Sequence, residues 1–255
     1  MSLAPGLRRC AAGLLCTLLV NGWAVAENAS TENAAHANVQ LGVGYLRQNN
    51  LAVAQQVLER ALAQNPKDPA VHTALGLLYE RLGQSARADT HYGRALRMAP
   101  QDPEVLNNYA VFLCRRGEAP RGEKLFLQAA ANPLYRTPEV ALTNAGVCAR
   151  AAGRPEPAEQ YLRRAIKLKA DFADALLPLA ELSLEKGNTL SARGFLQRLL
   201  AIGPATAETL WLGLRIEQAA GDAAAVQDYQ QRLEREFPQF EPVRALRNAA
   251  PPGKG

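Results

Sequence analysis

Histidine and cysteine are the residue types here best suited to catalysis or metal binding. The histidines are His36, His72 and His91, all on segments with helical periodicity near the start of the chain. A zinc site needs three or four converging ligands, and no such set can be assembled from them. His72 stands at the large position near the start of its helix, which is a packing place. No nucleophile–base pair is visible. The glycines form no Gly-rich loop between a strand and a helix, so a phosphate cradle lacks its context. The sequence therefore predicts no catalytic residue, no metal, no cofactor and no small-molecule substrate. Of the four cysteines, Cys114 and Cys148 lie in the body of the chain, and a disulfide is the chemistry open to them.

Composition narrows the class of element that holds these residues. Hydrophobic residues make up 48% of the 255, which excludes general disorder. Only 6% are aromatic, and the abundance of Ala and Leu favours helices over a β-sandwich. The net charge of +5 is spread along the chain, without the basic stripe and interleaved aromatics of a nucleic-acid reader.

Residues 1–26 read as a secretory signal peptide. Arg8 and Arg9 precede an apolar stretch from Ala11 to Val20, and Ala24-Val25-Ala26 supplies small residues for cleavage. That stretch is too short to span a bilayer comfortably. A lipobox wants Leu three residues before the Cys and a small residue directly before it. Cys16 has Gly13 and Leu15 there, and Cys10 precedes the apolar run. Cleavage after Ala26 is expected, with acylation at Cys16 as the alternative.

A repeat organises the remainder. Gly42, Gly76, Ala110, Gly146, Ala180 and Leu214 are separated by 34, 34, 36, 34 and 34 residues. Twelve residues beyond each stands Ala54, Ala88, Gly122, Ala158, Ala192 or Val226. Small residues at both places let two helices approach closely. Turn residues sit between the helices: Asn49, Gly83, Gly117, Gly153, Gly187 and Gly221. Gly and Asn tolerate the left-handed conformation that ends a helix. Pro66, Pro100, Pro204 and Pro238 close four of the units. This is the tetratricopeptide pattern. It predicts an all-α, right-handed superhelical solenoid of six helix-turn-helix repeats. The domain runs over 35–240, with repeats at 35–68, 69–102, 103–138, 139–172, 173–206 and 207–240. Residues 27–34 read as a flexible leader and 241–255 as a C-terminal tail.

The repeat register places Cys114 and Cys148 late in the first helices of adjacent repeats, 34 residues apart. Such helices pack side by side, within reach of the roughly 4.4–6.8 Å between Cα atoms that a bridge needs. An oxidising compartment favours the bond. Two separate buried thiols are the alternative.

Stacked pairs create a concave groove lined by the first helices. Outward-facing positions projected from the register are Val43, Leu46 and Arg47 in repeat one, and Thr73, Leu77, Glu80 and Arg81 in repeat two. Repeat three adds Asn107, Val111 and Arg115, and repeat four Thr143, Val147 and Arg150. An apolar centre edged by Arg suits a protein-binding groove, while a solvated face with scattered apolar side chains is the plainer reading.

Several strings are more specific than the generic repeat: Asn107-Asn108-Tyr109, Phe112-Leu113-Cys114, Asn132-Pro133-Leu134-Tyr135, Asn144-Ala145-Gly146-Val147-Cys148-Ala149, and Leu210-Trp211-Leu212-Gly213-Leu214-Arg215-Ile216-Glu217. Together they resemble the type IV pilus biogenesis and stability family, PilF or PilW, over residues 36–240. The resemblance implies six repeats, a periplasmic place at the inner face of the outer membrane, and peripheral association with that membrane. It implies a pilotin-like role, assisting secretin assembly or localisation, or a role in stabilising pili. It also implies a disulfide between Cys114 and Cys148. Pilotins of this family are often lipoproteins, and this chain departs from them in lacking a good lipobox.

The expected function is a non-catalytic protein-binding scaffold for type IV pilus biogenesis, with the secretin or another pilus component as partner. A general periplasmic adaptor in another envelope or export pathway is the alternative. An enzyme or enzyme subunit is a third reading, weakened by the lack of a nucleophile–base pair.

Overall fold

The computed structural model describes residues 31–242. The signal peptide with Cys10 and Cys16, residues 27–30 of the leader and residues 243–255 of the tail lie outside the described residues. Twelve helices run through 31–236, and no strand occurs among the described residues. They are α1 (31–47), α2 (Leu51–Gln64), α3 (Pro69–Arg81), α4 (Ser85–Met98), α5 (Pro103–Arg115) and α6 (Ala119–Ala130). After them come α7 (Pro138–Ala151), α8 (Pro155–Leu168), α9 (Ala173–Glu185), α10 (Thr189–Leu200), α11 (Ala207–Ala220) and α12 (Ala223–Glu236). These are the six expected helix pairs. Residues 241–242, assigned to the tail, are helical.

One expectation at the start needs correction. Residues 31–34, assigned to a flexible leader, belong to α1. The helix formers Ala34 and Ala35 follow directly, and Ala35 is fully buried. That contact anchors the first expected residue of the repeat, and the helix extends back from it over 31–34.

Local chemistry sets the helix ends. The side chains of Asn50, Asp68, Asn188 and Asp222 accept from backbone N–H groups in the first turns of α2, α3, α10 and α12. Thr206 and Thr209 form a reciprocal capping box at α11. The turn inside every pair is made by a residue with positive φ, from 58° at Asn49 to 81° at Gly117. A residue with a Cβ rarely adopts that conformation, which is why the spacing of these residues could be read.

The chain divides into two compact units, residues 1–109 and 110–255. In the first, α3 packs against α2 and α4. A Cβ on Gly42 would lie 2.5 Å from Leu58 Cδ2, and one on Gly76 would lie 2.8 Å from Tyr92 Cδ1. Leu58 and Tyr92 thus fill the space that the missing side chains leave. Tyr92 stacks on Tyr109 with ring centroids 5.7 Å apart, and the Tyr109 hydroxyl donates to Asp89.

In the second unit each helix from α6 to α12 packs on the next, and α9 also touches α7 and α11. Successive pairs therefore share one core. It runs from Leu142 through Leu162, Leu176, Leu179 and Leu196 to Leu212 and Ile216. Each such buried Leu contributes roughly 1.5–3 kcal/mol relative to exposure. The sixth repeat corrects the register by one residue. There the small residue facing the second helix is Gly213, where any Cβ would collide with the Tyr229 ring. Leu214 instead joins Leu210 and Leu233 in a terminal cluster edged by Trp211, Phe237 and Phe240. In this last described pair the larger Leu214 thus packs within the repeat's own cluster rather than marking the close helix approach.

Candidate protein-binding face

In the first unit, α1, α3 and the start of α5 carry the projected groove positions. Val43, Thr73, Leu77, Glu80 and Asn107 are half-buried, and Arg47 and Arg81 are exposed. Thr73 Oγ1 donates to the Pro69 carbonyl at 2.8 Å, and Glu80 accepts from the Tyr92 hydroxyl at 3.2 Å. Leu46 does not belong to the face. It is 1% exposed and part of the core, because the register fixes a position on the helix but not how closely its neighbours cover it.

The second unit carries the more apolar face. Val111 is half-buried, Arg115 is exposed, and Val147 is 46% exposed. Thr143 departs from expectation: it is buried, and its Oγ1 has no hydrogen-bond partner among the described residues. Arg150 reaches from α7 to Glu181 and Glu185 of α9, bonding the latter at 2.5 Å through Nη2. The two glutamates, like half-buried Leu177 and Leu184, were not among the projected residues, which stopped at repeat four. The same 34-residue period finds all but Glu185: Thr143, Val147 and Arg150 are followed by Leu177, Glu181 and Leu184. A further period reaches Trp211, which meets Phe240 edge-on at 6.3 Å, and exposed Arg215.

Two connections hold this face. Cys114 and Cys148 are joined as a disulfide, with Cα atoms 5.7 Å apart, tying the end of α5 to α7 beside Val147. The second is a buried carboxylate. Glu123 of α6, 4% exposed, accepts a bidentate contact from Arg154 at 2.8 and 3.1 Å and a bond from the Tyr161 hydroxyl at 3.3 Å. Two parallel N–H donors match both carboxylate oxygens and fix their orientation. Helix α6 is thereby joined to the turn before α8. The face is a cross-linked surface of aliphatic side chains and paired charges, suited to holding a peptide or protein segment.

The histidines do not converge on a metal. His36 is exposed and bonds Gln40 on its own helix. His72 is 2% exposed, and its two ring nitrogens lie 3.0 Å from His91 Nδ1 and 3.0 Å from the Pro66 carbonyl. Spacing along the chain does not reveal this pair, since the two rings come from different helices. Burial first, then His72, Arg94 and Arg87, lower His91 from 6.5 to about 4. No group of three His, Cys, Asp or Glu side chains among the described residues could hold a metal ion. No described helix is long and apolar enough to cross a membrane.

Comparison with known proteins agrees with this geometry. Tetratricopeptide repeat profiles match residues 39–88, 73–136 and 149–214, together more than half of the chain. The type IV pilus assembly protein PilF of Pseudomonas aeruginosa is 27% identical over 207 residues, 81% of this chain and 82% of that protein. The crystal structure of PilW, described as a widely conserved type IV pilus biogenesis factor, superposes with a TM-score of 0.76 at 28% identity, covering 83% of this chain and 97% of PilW. The Pseudomonas aeruginosa PilF structure gives a TM-score of 0.73 at 25% identity, over 87% of this chain and all of that one. The chain belongs to the tetratricopeptide repeat family and is homologous to the type IV pilus protein PilF.

Proposed function

We propose that this chain is a non-catalytic scaffold of type IV pilus biogenesis that binds a pilus component through the first-helix face of its repeats. The secretin is the favoured partner, and the role is pilotin-like: helping that pore assemble or localise at the outer membrane, or stabilising the pili. The observation that carries this reading is homology to PilF along four-fifths of the chain, rather than over a generic repeat pair. Its chemistry fits a binding role. The aliphatic side chains Val147, Leu177 and Leu184 lie among charges already paired within the face, so a partner could bury the apolar part without leaving those charges unmatched. Export by the signal-like segment 1–26 would put the chain in the periplasm, at the inner face of the outer membrane.

Deletion of the gene tests the proposal. Loss of surface pili, or loss of heat-resistant secretin multimers from envelope extracts, is expected, with recovery on complementation. Unchanged pili together with unchanged multimers would overturn it.

A further inference from the structure

The first unit holds an open cavity of about 530 Å³ that the pilus reading leaves unused. Leu62 of α2, Pro66 of the following turn, His72 of α3, and Arg94, Arg97 and Met98 of α4 line it. Arg94 and Arg97 are three residues apart on one helix, which brings their side chains to the same side. Both are exposed, and neither has a hydrogen-bonded or ionic partner among the described residues. No carboxylate lines the cavity. This contrasts with Arg150, Arg154 and Arg193 of the second unit, each paired with glutamate.

A pair of histidine rings adjoins the cavity, His72 in its lining and His91 against His72. If both rings are neutral, His72 keeps its proton on Nε2 and donates it to the Pro66 carbonyl, and His91 Nδ1 donates to His72 Nδ1. Burial is the main cause of the lowered His91 value, and His72, Arg94 and Arg87 add to it in the same direction. Leu62 and the 42%-exposed Met98 supply the apolar part of the lining, Met98 one helical turn beyond Arg94 on the same helix.

We propose that this cavity binds a peptide carboxylate flanked by an aliphatic side chain, the carboxylate on Arg94 and Arg97 and the aliphatic group against Leu62 and Met98. Guanidinium groups recognise carboxylates through parallel N–H donors. The volume suits one or two residues of a peptide, so the site would read a short motif or a chain end. It is independent of the first-helix face and could fail while the scaffold reading stands.

The test is a titration of the intact, oxidised chain, followed by the imidazole NMR signals of its histidines. The probe is N-acetyl-leucyl-leucine, with its C-terminal amide and sodium sulfate as comparisons at matched ionic strength. Saturable shifts of His72 and His91 are expected with the free acid, while His36, on α1 and exposed, stays unmoved. The Arg94→Ala, Arg97→Ala double variant should weaken the effect at least about tenfold. Both arginines are exposed, so the fold should be kept, and a circular-dichroism melting curve matching the parent without probe would check it. The proposal is overturned if the amide or sulfate acts as strongly as the acid, if His36 shifts alike, if the double variant titrates like the parent, or if no saturable shift occurs.

Discussion

Gly122 leaves the space that the Cys114 sulfur occupies. A Cβ on Gly122 would collide with Cys114 Sγ and come within 2.9 Å of the Ala110 carbonyl oxygen. Four other repeats hold alanine at the corresponding place: Ala54, Ala88, Ala158 and Ala192, all fully buried. The third repeat differs because its first helix turns a bridged cysteine toward the second helix. Gly122→Ala should therefore destabilise the oxidised protein by roughly 1–3 kcal/mol through overpacking. Urea unfolding measures it. A smaller penalty in a Cys114→Ala background is the sign that the sulfur is the obstacle, and an equal penalty there argues against it.

The bridge itself closes a loop with a sequence separation of 34. Restricting the unfolded chain in this way is worth about 3–4 kcal/mol on the chain-entropy account. Cys148→Ser should lower the unfolding free energy by that order. If denaturant curves of the variant and the oxidised parent coincide, the bridge does not hold α5 to α7 in solution.

Acid should weaken the first unit through His91. Its folded value of about 4 lies below the ordinary 6.5, so the neutral ring favours the fold. The unfolded chain takes up a proton first as pH drops, and stability then falls. The contribution is complete above about pH 6.5 and is lost as the pH drops through about 4. Melting temperatures between pH 7 and 4 should decline less in His91→Asn than in the parent. Parallel curves would show that His91 does not titrate in that window.

Thr143 offers a change in the opposite direction. Its hydroxyl is buried without a hydrogen-bond partner among the described residues. Thr143→Val keeps the branched shape and removes the polar atom, so stability should rise by about 1 kcal/mol. A loss of stability would mean that the hydroxyl finds a partner in solution.

The parts legible in the sequence are those with a steric cause at a fixed spacing. Asn49, Gly83, Gly117, Gly153, Gly187 and Gly221 marked every intra-pair turn because each has positive φ. Gly42, Gly76 and Gly146 marked the close helix approaches. The candidate face was less legible. Leu46 and Thr143 share a register with half-buried or exposed neighbours, yet both are buried, because exposure depends on the next helix rather than on helical phase. The Gly213–Leu214 order hid the register of the last repeat, where end-packing competes with the pattern. The His72–His91 contact and the link from Arg150 to Glu181 and Glu185 join helices distant in sequence, and spacing alone carries no record of them.

The central claim is that the first-helix face engages a pilus component, and site-directed photo-crosslinking in intact cells tests it most directly. A photoreactive residue would replace Val147, 46% exposed on α7, or Leu190, 76% exposed on α10. Adducts containing the secretin or another pilus protein should form from position 147 and not from 190. Adducts from 190 alone, or none with any pilus protein from 147, would contradict the account.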